Sequence, residues 1–294
     1  MSLRQQLKGT GVALITPFTD TLTVDYDALG KVIDYVIAGG VEYVVTLGTT
    51  GETPTLDKKE KLDIIQFTYD KVAGRVPVVV GIGGNNTNEL LEDLKSFPLD
   101  KAIAVLSAAP YYSKPSQEGI YQHYKALAAV SPKPVLLYNV PGRTGRNMTA
   151  ETTIRLAREV KNIAGIKEAS GDMMQCMQIL KEVPEDFLVV SGDDGLALSQ
   201  IACGMDGVIS VIGNTLPAQF SDMVRLSLKN DFAAARTISN RLLEAYDLLF
   251  AENNPAGVKA FMTQQGIIGN NLRLPVTPVS EGLYRKIEGF LKTV

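Results

Sequence analysis

The sequence predicts a closed (β/α)8 barrel, a TIM barrel in the α/β class, carrying a C-terminal helical extension. Three observations predict it. Eight short apolar, β-branched runs recur without the polar alternation of a half-exposed sheet, as parallel strands covered on both faces require. Helical stretches separate most of them, and eight such units in roughly 230 residues suit a barrel of ~250 residues. An open doubly wound sheet is the competitor, but no glycine fingerprint follows the first run.

The expected strands are Gly11–Phe18, Tyr43–Gly48, Pro77–Gly83, Ala102–Ala109, Pro134–Val140, Ile163–Ala169, Phe187–Gly192 and Gly207–Val211. The first helix is expected over Asp25–Ala38, with Leu29, Val32, Ile33, Val36 and Ile37 on one face. The next runs over Asp57–Val72 on Leu62, Ile65, Tyr69 and Val72. There Asp57 precedes Glu60 at the spacing of a capping box. Thr149-Ala150-Glu151-Thr152 opens the helix after the fifth strand in a similar way. Beyond residue 230 no strand is expected; Asp231–Ala251, Pro255–Gln265 and Pro278–Lys292 read as helices. The chain therefore divides into a barrel catalytic domain, 1–230, and a helical domain, 231–294.

Composition removes several classes of function. The 294 residues are 45% hydrophobic with a net charge of −3 and scattered positive residues, so no nucleic-acid footprint is expected. No stretch approaches the ~20 apolar residues of a membrane span. The first residues show no apolar signal core, so secretion is not expected and a cytoplasmic protein is. Cys176 and Cys203, both in expected helices, lack metal or redox spacing and read as reduced thiols. The single histidine, His123, reads as a packed or surface helix residue. One histidine does not supply the usual zinc ligand set, so no metal is expected.

Carbonyl chemistry is left to a lysine, tyrosines, hydroxyls and carboxylates. Lys167 interrupts the apolar run Ile163-Ala164-Gly165-Ile166-Lys167-Glu168-Ala169. A lysine there either joins a structural ion pair, with neighbouring Glu168 for instance, or loses charge and becomes a nucleophile. In a barrel, reactive groups gather at the C-terminal strand ends, and the conspicuous residues fall there on several strands. Gly48-Thr49-Thr50-Gly51-Glu52 offers hydroxyls and freed N–H groups for an anion, or is an ordinary turn. Tyr138 ends the fifth strand, and Thr49 and Tyr112 are candidates to bridge it to solvent, although strand-end tyrosines are also common core residues. Arg143 is either a fork for a substrate carboxylate or a loop anchor. Gly81-Ile82-Gly83-Gly84-Asn85 reads as packing glycines more than a phosphate cradle, and Asp193-Asp194 as a turn more than a divalent-metal site.

Taken together, Gly48-Thr49-Thr50-Gly51-Glu52, Tyr111-Tyr112 before Lys114-Pro115, Tyr138-Asn139-Val140-Pro141-Gly142-Arg143-Thr144 and Gly165-Ile166-Lys167-Glu168-Ala169-Ser170 closely resemble the dihydrodipicolinate synthases. These are pyruvate-dependent class I aldolases, and the resemblance covers essentially the whole chain. It implies condensation of pyruvate with L-aspartate 4-semialdehyde, in diaminopimelate and L-lysine biosynthesis, with no cofactor. By the same resemblance Lys167 forms the imine, Tyr138 moves protons with Thr49 and Tyr112, and Tyr112 comes from a neighbouring subunit of a homotetramer built as a dimer of dimers. Thr50 and the backbone of Ile209 match the pyruvate-holding positions, and Arg143 the binder of the second substrate's carboxylate. Related lyases for N-acetylneuraminate or 2-keto-3-deoxy sugar acids share the lysine and tyrosine; Arg143 and the paired threonines favour the synthase. A barrel retained only as a binding protein is the reading from another class, and intact reactive groups weigh against it. Asn85, Glu89 and Tyr111 match an L-lysine feedback pocket, where Lys61, with Lys58 nearby, stands in place of a histidine or acidic residue.

Overall fold

The computed structural model describes all residues, Met1–Val294. Eight parallel strands close into a barrel in sequence order: β1 (Gly9–Ala13), β2 (Tyr43–Thr46), β3 (Val78–Gly81), β4 (Ala104–Ala108), β5 (Val135–Asn139), β6 (Ile163–Glu168), β7 (Leu188–Ser191) and β8 (Gly207–Ser210). Closure is made by β1 against β8, with Gly9 opposite Gly207. Gly207 has φ 149°, and a Cβ there would sit 1.9 Å from the Gly9 carbonyl oxygen, so the seam closes only with glycine.

The barrel lumen is filled by Leu7 at the N-terminal end, then Tyr43, Val45, Val79 and Leu106, and is capped toward the other end by Tyr138, Val190 and Ile209. Outside the strands, a second and larger core of 54 buried residues runs from Val12, Val44 and Val80 through to Leu249, Phe261 and Ile287 of the C-terminal helices. No helix is long and apolar enough to cross a membrane.

Helix starts follow the side-chain signals in the sequence. Asp25 accepts from the Ala28 N–H to open the helix Tyr26–Ala38, whose Leu29, Val32, Ile33 and Val36 are buried while Ile37 is only partly so. Asp57 and Glu60 form a reciprocal capping box before Lys58–Val72. In that helix Ile65, Tyr69 and Val72 of the expected face are buried, Leu62 is only partly so, and Ile64 joins the buried side. Thr149 caps Ala150–Glu159.

Element ends differ from expectation by a few residues, most of all at the first strand. The first strand is Gly9–Ala13 and not Gly11–Phe18: Leu14, Ile15 and Phe18 are buried core residues of the loop that follows it. Asn214 holds the point of departure, accepting from Ile15 N–H at 3.2 Å and donating to the Ala13 carbonyl at 2.8 Å. Cys203 does not lie within a helix; it is the exposed cap after Ala197–Ala202. Cys176 is buried within Met173–Glu182, and burial raises its thiol to about 12. The tail forms helices Phe232–Phe250, Ala256–Gln264 and Glu281–Leu291, each trimmed slightly from its expected span.

Candidate active site

Tyr138 and Lys167 stand directly opposite each other in the β5–β6 ladder, so their side chains leave the sheet on the same face. The Lys167 ammonium lies 4.4 Å from the centre of the Tyr138 ring. Both are buried, at 5% and 8% exposure. Space for the lysine comes from Gly192 just beyond β7, where a Cβ would fall 2.9 Å from Lys167 Cε.

Strand alternation sends Glu168 to the opposite face from Lys167. There it is fully buried, and its carboxylate accepts from Asn139 Nδ2 at 3.1 and 3.0 Å, the Ser170 N–H at 2.7 Å and Gln175 Nε2 at 3.0 Å. Neutral donors satisfy it, and the ion pair between Lys167 and Glu168 does not form. The amine therefore stands without the adjacent carboxylate that would have made it structural.

The turn after β2 runs through Thr49–Gly51 and ends on Glu52, held in the left-handed region at φ 52°. Thr50 is buried, and its hydroxyl accepts from Asn254 Nδ2 at 3.0 Å. Thr16 donates to the Gly51 carbonyl at 2.7 Å, fastening the turn to the loop after β1. Thr49 is half-buried. Ile209, on β8 beside Gly11, is buried.

Arg143 projects from the short helix Pro141–Thr144 and donates to the Asn254 carbonyl at 3.1 Å. It is exposed, so one nitrogen anchors the loop while the guanidinium keeps donors toward solvent. Asn254 thus touches both Thr50 and Arg143. Tyr112 is placed differently. It sits in the loop after β4 with φ 68° and 89% exposure, and its hydroxyl makes no hydrogen bond in its own chain. One chain brings Lys167 and Tyr138 together but does not link the hydroxyls of Thr49, Tyr112 and Tyr138 directly.

Asn85 and Glu89 are exposed around the start of the helix Thr87–Ser96, and Tyr111 is partly exposed in the neighbouring loop. Lys61 is half-buried on Lys58–Val72 and forms no ion pair with Glu89, whereas Lys58 reaches Asp93 at 3.4 Å. Asp193 and Asp194 act as turn and loop acceptors: Asp193 takes the Leu196 N–H, and Asp194 takes those of Val211 and Ile212 at 3.0 and 2.8 Å. His123 is buried, bonded to Thr87 at 2.8 Å, and burial lowers its imidazole to about 4.

Sequence reasoning missed Asn254 and Lys259. Lys259 is fully buried and paired with Glu52, and desolvation lowers its ammonium to about 8 against the pull of that carboxylate. Its signal was available: Ala256-Gly257-Val258-Lys259-Ala260-Phe261-Met262 is an apolar helix broken by one lysine, the helical counterpart of the run around Lys167.

The description of the dihydrodipicolinate synthetase family matches residues 6–294. The chain belongs to that family. A 4-hydroxy-tetrahydrodipicolinate synthase of Parabacteroides distasonis is 52% identical over 286 residues, covering 97% of this chain and 96% of its own. Among solved structures, the dihydrodipicolinate synthase of Aquifex aeolicus superposes with a TM-score of 0.94 at 38% identity, covering 97% of both chains. That of Acinetobacter baumannii, described as chloride-inhibited and complexed with pyruvate, gives 0.94 at 37% identity over 97% of this chain and 98% of its own. The family match and the structural superposition both extend over nearly the whole chain, tail included.

Proposed function

We propose that this chain condenses pyruvate with L-aspartate 4-semialdehyde to 4-hydroxy-tetrahydrodipicolinate through an imine on Lys167, the first committed step of the diaminopimelate route to L-lysine. The observation that carries the reading is the Lys167 amine, buried against Tyr138 on the inner face of the barrel without Glu168 as partner. Its neutral form attacks the pyruvate carbonyl, and water departs as the imine forms. Loss of a methyl proton gives an enamine whose carbon attacks the aldehyde, the new alkoxide takes up a proton, and the second substrate's amino group then attacks the imine carbon, closing the ring and releasing Lys167 as its free amine. Tyr138 serves these proton transfers, with Thr49 and a neighbouring subunit's Tyr112 completing the relay. Thr50 and the Ile209 backbone hold the pyruvate portion, and Arg143 holds the carboxylate of the second substrate.

The relatives' shared name and near-complete coverage support this activity. The exposure of Tyr112 supports an assembly that covers it, read as a cytoplasmic homotetramer made of two dimers. Residues 1–230 serve as the catalytic barrel and 231–294 as the helical domain that braces it. Asn85, Glu89, Tyr111 and Lys61 line the L-lysine pocket, with Lys61 weakening it. The chemistry uses side chains of this protein, those of one subunit with Tyr112 of its neighbour, and calls on neither metal nor cofactor.

Incubation with pyruvate and borohydride is expected to leave one reduced pyruvyl group per chain, located on Lys167 by peptide mass analysis. Lys167→Arg abolishes it, because guanidinium stays protonated. A label on another lysine sinks the mechanism. A coupled assay with pyruvate and aspartate semialdehyde, run beside N-acetylneuraminate cleavage, fixes the second substrate.

A further inference from the structure

Lys259 lies in the helix Ala256–Gln264, in a stretch buried without interruption from Ala256 to Met262, and its side chain has no solvent exposure. Its ammonium meets the Glu52 carboxylate, the Asn271 carbonyl at 3.0 Å and the Phe18 ring, 4.2 Å from the centroid. Arg273 closes the cluster. Its backbone N–H donates to Glu52 Oε2 at 3.2 Å, and its guanidinium lies 4.3 Å from the Phe18 centroid while binding the Thr55 carbonyl and Glu60. Glu52, Thr55 and Glu60 all belong to the stretch that leaves β2 and carries Thr49 and Thr50.

A buried ion pair is a poor source of net stability, because desolvation offsets most of the attraction. It is demanding about geometry, since either charge alone in that interior is costly. Lys259 also has no route to a substrate, so a second imine lysine is excluded by its enclosure. What the pair does join is the C-terminal helical tail and the residue that closes the Thr49–Gly51 turn. Glu52 holds that turn's end in a left-handed conformation uncommon for a side chain other than glycine or asparagine.

We propose that the buried Glu52–Lys259 pair is a positioning device through which the C-terminal tail holds the Thr49–Thr50 turn in register with Lys167. The inference rests on the reading of Thr49 and Thr50 as relay and pyruvate groups given above. Neither Glu52 nor Lys259 touches the reacting atoms; both act through the turn. Asn254, on the same tail segment, adds the second tie by donating to Thr50.

The test compares the parent with Glu52→Gln/Lys259→Met, which removes both charges at similar volume, and with Lys259→Met alone. Kinetics are measured for both substrates, together with thermal unfolding and amide exchange of the ligand-free protein. The double variant is expected to fold with Tm near the parent's, to exchange amides of residues 48–56 about tenfold faster, and to raise the KM for pyruvate about tenfold. Exchange in β6 stays unchanged. The single variant is the less stable of the two, since it strands a buried carboxylate. Unchanged exchange at 48–56 overturns the proposal, and so does faster exchange with kcat and KM unaltered in an active parent. A parent that neither turns over the two substrates nor traps pyruvate defeats the functional reading instead. The exchange comparison then decides the positioning claim by itself, faster exchange supporting it and unchanged exchange overturning it. Should the double variant not fold, Glu52→Asp, which keeps both charges and shortens the link, is read out in the same way.

Discussion

An amine buried beside a tyrosine ring, with the adjacent carboxylate turned away into its own hydrogen bonds, is set up for chemistry more than for structure. The ring of Tyr138 covers Lys167, so Tyr138→Phe removes a hydroxyl and preserves that packing. Turnover is expected to fall by roughly 10²-fold or more, the usual contribution of a positioned acid–base group. A steady-state rate equal to the parent's would remove Tyr138 from the mechanism. His123 gives a second prediction, on stability. Its imidazole titrates at about 4 when buried, against 6.5 when exposed, so the unfolded chain binds the extra proton between those values. Stability from this group is complete above pH 6.5 and is lost as pH falls toward 4, by about 3 kcal/mol at most. Asp194 works in the opposite direction. Burial raises its carboxyl to about 6, so its contribution is complete below its ordinary 3.8 and lost as pH rises through 6. Urea unfolding from pH 7 to 4.5 is expected to show a shallower acid-side loss in His123→Gln than in the parent; parallel curves would assign the acid sensitivity elsewhere.

Between elements, the helix after β2 and the helix after β3 frame the region where Lys61, Asn85 and Glu89 lie. L-Lysine carries two cationic amines, and Lys61 has no carboxylate partner to quench its charge. At an effective dielectric of about 20, an ammonium pair ~4 Å apart repels by roughly 4 kcal/mol, and side-chain motion and salt reduce this to ~1–2 kcal/mol, about tenfold in affinity. Little inhibition is therefore expected at sub-millimolar L-lysine, with greater sensitivity in Lys61→His. Tight calorimetric binding to the unmodified protein would mean that Lys61 points away from the ligand. At this scale the sequence is readable where a pattern has one physical cause. Asp57 with Glu60, and Thr149 ahead of its helix, mark starts because side-chain acceptors satisfy the first free N–H groups. The run Leu14–Phe18 misleads because burial in a loop and burial in a strand leave the same apolar signature. Lys167 stood out because a charge breaks an apolar strand. Lys259 breaks an apolar helix in the same way, but its partner, Glu52, lies more than half the chain away, and nothing in local spacing joins them.

For the whole molecule, the tail bears on a site built mainly by the barrel, and an assembly of copies would bear on it too. The tail reaches it through Asn254 and Lys259. The assembly would reach it through Tyr112, which holds a left-handed backbone and exposes nearly its whole side chain, beside partly exposed Tyr111. A large aromatic in that conformation costs about 1 kcal/mol or more, and burial against a second copy is a contact that would offset it. If Tyr112 completes the relay of a neighbour, the two defects Lys167→Ala and Tyr112→Phe complement each other across a two-fold interface. In a hybrid dimer, the subunit with an intact Lys167 receives an intact Tyr112 from the other, while the second site is dead. Dissociating the two variants together and letting them reassociate is expected to yield roughly a quarter of the parent's activity, the statistical share of sites with both residues intact. That exceeds the average of the separate variants wherever Tyr112→Phe alone is well below half active. Activity that stays at the simple average, with subunit exchange verified by native mass spectrometry, would place Tyr112 outside its neighbour's site.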